Sequence, residues 1–227
     1  MLTGTLFLAL TLGVYLASKK IYFARKSMLL SPLIVTPLVI IAFLLVTGTS
    51  YTSYNAGGKW LTDLLQPATV AFAIPLHKNF KVLKKHAAEI GIGVLTGTVT
   101  AVVSSVLLAR WLHLSNDLAS SLVPRSVTTP IAMNISQSIG GIPSITAVFV
   151  IMTGILGTLM GPSIHRLFRI DNEIARGVSL GTAAHGTGTS KAFELSSLTG
   201  TISSIAMILT ALLTLGVAPA ALAVFLH

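Results

Sequence analysis

Residues 174–194, IARGVSLGTAAHGTGTSKAFE, constrain this chain more than any other stretch. Apolar runs of membrane character flank it. Yet positions 181–189 hold Gly181, Thr182, His185, Gly186, Thr187, Gly188 and Thr189. Each interior glycine costs a helix about 1 kcal/mol relative to alanine, so the run predicts an interruption. At membrane depth an interrupted helix leaves N–H and C=O groups that hydrocarbon cannot satisfy, at several kcal/mol each. The break must therefore be buried in protein or face a polar cavity, and in membrane carriers such breaks are where substrate is held.

A second stretch matches the first at constant offset. Residues 68–80 read ATVAFAIPLHKNF and residues 181–193 read GTAAHGTGTSKAF. An offset of 113 (182 − 69) pairs Thr69 with Thr182, Ala71 with Ala184, Lys78 with Lys191 and Phe80 with Phe193. It also pairs Gly48 with Gly161 and Ser31 with Ser144, and sets Pro75 opposite Gly188, a breaker against a breaker. The constant register predicts two repeats, about 31–110 and 144–225. Chance matching in a low-complexity apolar chain is the competing explanation.

Composition fixes the solvent. The chain is 53% hydrophobic and 9% charged, with mean hydropathy +0.86, against about 25% charged residues in a soluble domain. It reads as one all-α integral membrane domain, 1–227, multi-pass, with about seven spans. The net charge of +9 belongs to cytoplasmic loops, with no call for a nucleic-acid partner. The absence of cysteine excludes disulfides, thiolate metal sites and thiol catalysis.

The expected spans are about 2–17, 31–48, 61–76 (broken), 88–109, 144–161, 174–194 (broken) and 198–225. Residues 49–59, with Tyr51, Tyr54 and the nearby Trp60, suit a membrane–water interface; residues 77–86 read as a basic loop. The first span lacks a preceding positive charge and is followed by Lys19, Lys20, Arg25 and Lys26, the reverse of a signal peptide; its N-terminus is expected outside. Residues 116–141 contain Pro124, Arg125 and Pro130 and many hydroxyl and amide side chains, and read as a re-entrant segment. That layout places 11 of the 15 basic residues inside, as the positive-inside rule favours; a full crossing at 116–141 would leave 8 inside and 7 outside. Three crossings then separate matching elements, so the repeats (spans 2-3-4 and 5-6-7) are expected to be inverted, with two crossed broken helices.

The blocks PATVAFAIPL (67–76), PRSVTTPIAM (124–133), IGG (139–141) and AAHGTGTSKAFE (183–194) resemble, end to end, those of the LrgB/CidB family of bacterial integral membrane proteins. The resemblance implies the bacterial cell membrane, a small holin-like LrgA/CidA membrane partner, and one of two roles. One is control of murein hydrolase activity and lysis. The other is transport of small monocarboxylates such as pyruvate, with glycolate and glycerate carried by a related plant plastid transporter. It also implies a core like that of cation/proton antiporters and bile-acid symporters.

A small carboxylate needs hydroxyl and N–H donors and positive potential, which half-helix N-termini supply without a buried lysine. Thr69 on one break and Thr182, His185, Thr187 and Thr189 on the other are the candidate donors. Gly186 and Gly188 would let backbone N–H groups approach the ligand. Close packing of small residues where helices cross is the alternative. His185 is the histidine placed at membrane depth, where it suits proton coupling or a plain hydrogen bond to a freed carbonyl. Arg125, with Ser126, Thr128, Thr129, Asn134 and Gln137, forms a second polar cluster; Arg125 would grip a carboxylate or snorkel to the interface. Lys191 and Glu194 at i, i+3 suit a simple pair. Nothing reads as an enzyme: the glycines lack the lysine of a phosphate loop and the third glycine of a dinucleotide loop. No cofactor is expected, while coupling to protons or sodium, and homo-oligomerisation, stay open.

Overall fold

The computed structural model describes residues 2–25, 30–64, 67 and 73–225, and among them all regular structure is helical. The chain divides into two compact units, residues 1–70 and 71–227.

In the first unit, α1 (Leu2–Arg25) continues through Lys19 and Lys20 well past the expected span. Lysine is a good helix former, and its charge ends a membrane span without ending a helix. α2 (Pro32–Thr47) keeps the expected bounds because both ends are capped. Ser31 accepts from the Leu33 N–H, proline opens the first turn, and Gly48 closes the helix at φ 63°, with the Thr49 N–H on the Leu44 carbonyl. The interfacial stretch 49–59 is helical, α3 (Tyr51–Asp63), capped by Ser50 on the Ser53 N–H. A Cβ at Gly57 would strike the Gly4 carbonyl, so Gly57 lets α1 and α3 touch backbone to backbone. The Thr11 and Tyr54 hydroxyls meet at 3.0 Å beside that contact. The first break, with Thr69, lies outside the described residues.

The second unit opens with α4 (Ala73–Lys78), at the end of the expected broken span, and α5 (Phe80–Lys85), helical where a basic loop was expected. Three long apolar helices follow: α6 (Ala87–Trp111), α9 (Pro143–Leu167) and α11 (Ser197–Phe225). With α1, they are the four helices among the described residues long and apolar enough to cross a membrane. Between α6 and α9 stand two short helices, α7 (Asn116–Leu122) and α8 (Thr129–Ser138). At 1.5 Å per residue they reach about 10 and 15 Å, too short to span. They form a re-entrant segment, and the chain leaving it packs back on α7: the Ile142 N–H donates to Ser121 Oγ at 2.7 Å.

Between α9 and α11 lies α10 (Glu173–Leu195), bent at a single non-helical residue, His185. The bend is a reversal. A Cβ at Gly188 would strike the Leu180 carbonyl, whereas eight residues along a straight helix separate atoms by about 12 Å. Both legs also climb the same stretch of α11. Gly177 faces Thr199 and Ile202 while Phe193 faces Gly200; Gly181 and Thr189 both reach Ser203. Residues 173–195 are thus a second re-entrant hairpin with His185 at its tip.

This corrects the expected topology. Span 6 returns to the end it came from, and its halves lie side by side. Gly93 and Gly97 of α6 face Val178 and Thr182 in order, and Gly177 and Gly181 face Ile202 and Ala206 in order. Hence α6, the first leg of α10 and α11 all run the same way, and spans 4 and 7 are not inverted with respect to each other. α9 runs opposite, with Gly157 on Ala184 and Gly161 on Leu180. The end where α6 begins is called proximal below, the end where it stops distal. The α10 hairpin enters from the proximal end and the α7–α8 hairpin from the distal end.

Candidate functional site

The two hairpin tips meet in the middle of the second unit. Val127, just past Arg125, is buried against Val150 of α9 and Ala211 of α11. The carbonyl of that same Val150 accepts a hydrogen bond from His185 Nε2 at 3.0 Å. A carbonyl only accepts, so Nε2 carries the proton and, in the neutral ring, Nδ1 is the acceptor. His185 holds φ 41°, ψ −128°, a conformation glycine adopts readily and other residues adopt at about 1–3 kcal/mol. The sequence placed the break among the glycines; the structure places it on His185, whose ring ties the tip to α9. Thr187 and Gly188 belong to packing: Thr187 Oγ1 donates to the Ala184 carbonyl at 2.9 Å, and Gly188 sits on the first leg. Thr189 shares a hydrogen bond with Ser203 at 2.9 Å. Gly186 has open space around its Cα.

A cavity of about 850 Å³ runs down from the junction of the tips. Glu89, Asn172 and Ala175 line it at the proximal end, and Arg125, Ser126, Thr182 and Ala183 line it toward the hairpin tips; Thr96, Thr100 and Ala183 are exposed, so it is open along its length. α6 forms one wall with Gly93, Thr96, Gly97, Thr100 and Ala101; the absence of side chains at Gly93 and Gly97 leaves the room. The first leg of α10 forms the other wall through Val178, Ser179 and Thr182.

Thr182 is 4% exposed and Ser126 2% exposed, and neither hydroxyl has a hydrogen-bond partner. A buried unpaired hydroxyl costs about 1–3 kcal/mol; both residues line the cavity, while their oxygens are closed off from it. Arg125 Nε donates to Ser105 Oγ of α6 at 2.8 Å, which turns the side chain along the cavity. The ion pairs among the described residues are His86–Glu89, Arg176–Asp171 and Lys191–Glu194; none engages Arg125. A cation inside a membrane protein with no counter-charge is costly, about 2.5–3.5 kcal/mol on insertion scales, and is kept for function. Glu89, the acid at the proximal end of the cavity, is held by His86 Nδ1 at 2.7 Å.

The expected donors therefore separate. Arg125 and Thr182 come together in one cavity, and Ser126 joins them. Thr128 is buried with an unpartnered hydroxyl at the start of α8 but does not line the cavity. Thr129 is half-buried and Asn134 exposed. The wall from α6 was missed altogether. Gly93, Gly97 and Ala101 recur every four residues on one helical face, a small-residue stripe that could have identified it. Ser179, missed as well, joins the wall to α9 through His165 Nε2 at 2.8 Å.

Comparison with known proteins agrees with this picture of a membrane chain. Residues 11–224 match the LrgB-like family. The protein YwbG of Bacillus subtilis (strain 168) is 61% identical over 219 residues, 96% of this chain and 97% of that protein. YxaC of the same organism is 40% identical over 90% of this chain and 89% of its own length. The holin-like protein CidB of Staphylococcus epidermidis is 38% identical over 224 residues, 99% of this chain and 98% of that one. No solved structure matches the chain.

Proposed function

Since the chain belongs to the LrgB family, we propose that it is a carrier of small monocarboxylates, pyruvate- or glycolate-like, working beside a small LrgA/CidA-like membrane protein. The observation that carries this reading is the part of the cavity lined by Arg125, which has no acidic partner among the described residues, together with Ser126 and Thr182. A carboxylate offers two acceptor oxygens and one negative charge. Guanidinium N–H groups complete it, and it completes them. The apolar remainder, Val178, Ala183 and Ala101, suits a short carbon chain without further charge.

Charge gives the cavity a side. In the second unit Lys81, Lys84, Lys85, Arg166, Arg169 and Arg176 gather around the proximal end, against Arg110 at the distal end. By the positive-inside rule the proximal end, and that end of the cavity with it, faces the cytoplasm. The test is uptake of labelled pyruvate into proteoliposomes, with and without the small partner. Uptake that falls at least tenfold in Arg125→Gln supports the carrier reading. The absence of any uptake under both conditions overturns it.

The likeness to holin-like CidB favours a second reading, a holin-like regulator of murein hydrolase release. That role calls for oligomers and leakage of a fluorescent dye from vesicles, unaffected by Arg125→Gln.

A further inference from the structure

The two hairpins are related in sequence as well as in shape. At an offset of 60 (189 − 129), Thr129, Ala132, Ser136, Gly140, Ile142, Ser144 and Ile145 meet Thr189, Ala192, Ser196, Gly200, Ile202, Ser204 and Ile205, identical in each pair. The same offset sets Arg125 opposite His185 and Val150 opposite Thr210. Each copy is a re-entrant hairpin followed by a long helix, the join falling about a turn earlier in the second. α9 runs distal to proximal and α11 proximal to distal, so the copies are inverted. Both tips reach Val150 of α9: Val127 packs against its side chain and His185 bonds its carbonyl.

An inverted pair has two states of equal standing, which the copies exchange. In this structure the first leg of α10 lines an open cavity through Ser179, Thr182 and Ala183. Sixty residues earlier stand Ala119, Leu122 and Val123, on and just after α7. They are 0%, 6% and 0% exposed, sealed against Ala109 and Phe149 of α6 and α9 or against Val106 and Ala218 of α6 and α11. From this we infer a second access route, closed here, that opens at the distal end along Ala119, Leu122 and Val123 while the proximal cavity closes. The two hairpins are the two gates, and Arg125 and His185, one on each tip, stay between them. The inference deepens the carrier reading and rests on it for the identity of what passes.

The chain has no cysteine, so single cysteines report without background. Ala183→Cys, Ala119→Cys and Leu122→Cys are reconstituted in vesicles and treated with a membrane-impermeant maleimide from one face at a time. Leu122→Cys adds no bulk and covers the case in which Ala119→Cys fails to fold. The expected result is that Ala183→Cys reacts from one face while Ala119→Cys and Leu122→Cys react from the other. Adding pyruvate is expected to change the two rates in opposite directions by at least twofold. Labelling at 119 and 122 from the same face as 183, or from neither face in a preparation that takes up pyruvate, overturns the inference. Labelling from opposite faces in a preparation without uptake upholds the gates and removes the carboxylate.

Discussion

Two side chains hold the central region, and each separates a structural role from a binding role. Thr182 has a buried hydroxyl without a partner. Thr182→Val keeps the shape and removes the orphan, so thermal unfolding in detergent is expected to be unchanged or to rise by about 1 kcal/mol. Carboxylate uptake is expected to fall about tenfold in the same variant. A loss of stability would mean that the hydroxyl has a partner in the protein itself. His185 balances a hydrogen bond against strain. His185→Gly loses the bond to Val150, about 1 kcal/mol, and releases strain of similar size. His185→Ala loses the bond and keeps the strain. The glycine variant is therefore expected to melt close to the parent and the alanine variant below it, by about 1–3 kcal/mol. The inverse order would show that the positive φ is not held at this position.

At the scale of elements, the reversal of α10 is the feature most open to direct measurement. Spin labels at Ala175→Cys and Leu195→Cys sit near the starts of the two legs. A continuous helix would separate them by about 30 Å; the hairpin is expected to bring them under about 20 Å, read by pulsed electron resonance. Most helices were legible from sequence because apolar runs of 16 to 29 residues admit little else in a chain of this composition. Capped ends such as Ser31 and Gly48 fixed α2 to within a residue. The direction of a broken segment was not legible. A glycine-rich interruption permits a bend, a crossing or a reversal alike, and the choice rests on which faces of α11 accept each leg. Tyr51–Asp63 went unread as a helix for a related reason: glycine lowers helix propensity, and only the facing Gly4 reveals the close contact that makes it worthwhile. Part of the candidate site was legible, since Arg125, Thr182 and His185 stand out as polar residues in apolar surroundings. The threonines that merely pack, Thr187 and Thr189, look identical to Thr182 in one dimension.

For the molecule as a whole, the second unit is a set of membrane-length helices around two opposed hairpins, with a cavity lined near the tips by Arg125, a cation without an acidic partner among the described residues. Membership of the LrgB family is compatible with transport or with control of lysis, and the proposed carboxylate site separates the two by experiment. The most direct measurement is protection of Ala183→Cys, beside Arg125 on the cavity wall, from a water-soluble maleimide by pyruvate. Labelling is expected to slow severalfold as pyruvate rises into the millimolar range, with acetamide, a neutral analogue, having no effect, and the protection is expected to vanish when Arg125→Gln is combined with it. A labelling rate indifferent to pyruvate, or equal protection with and without Arg125, would contradict the account.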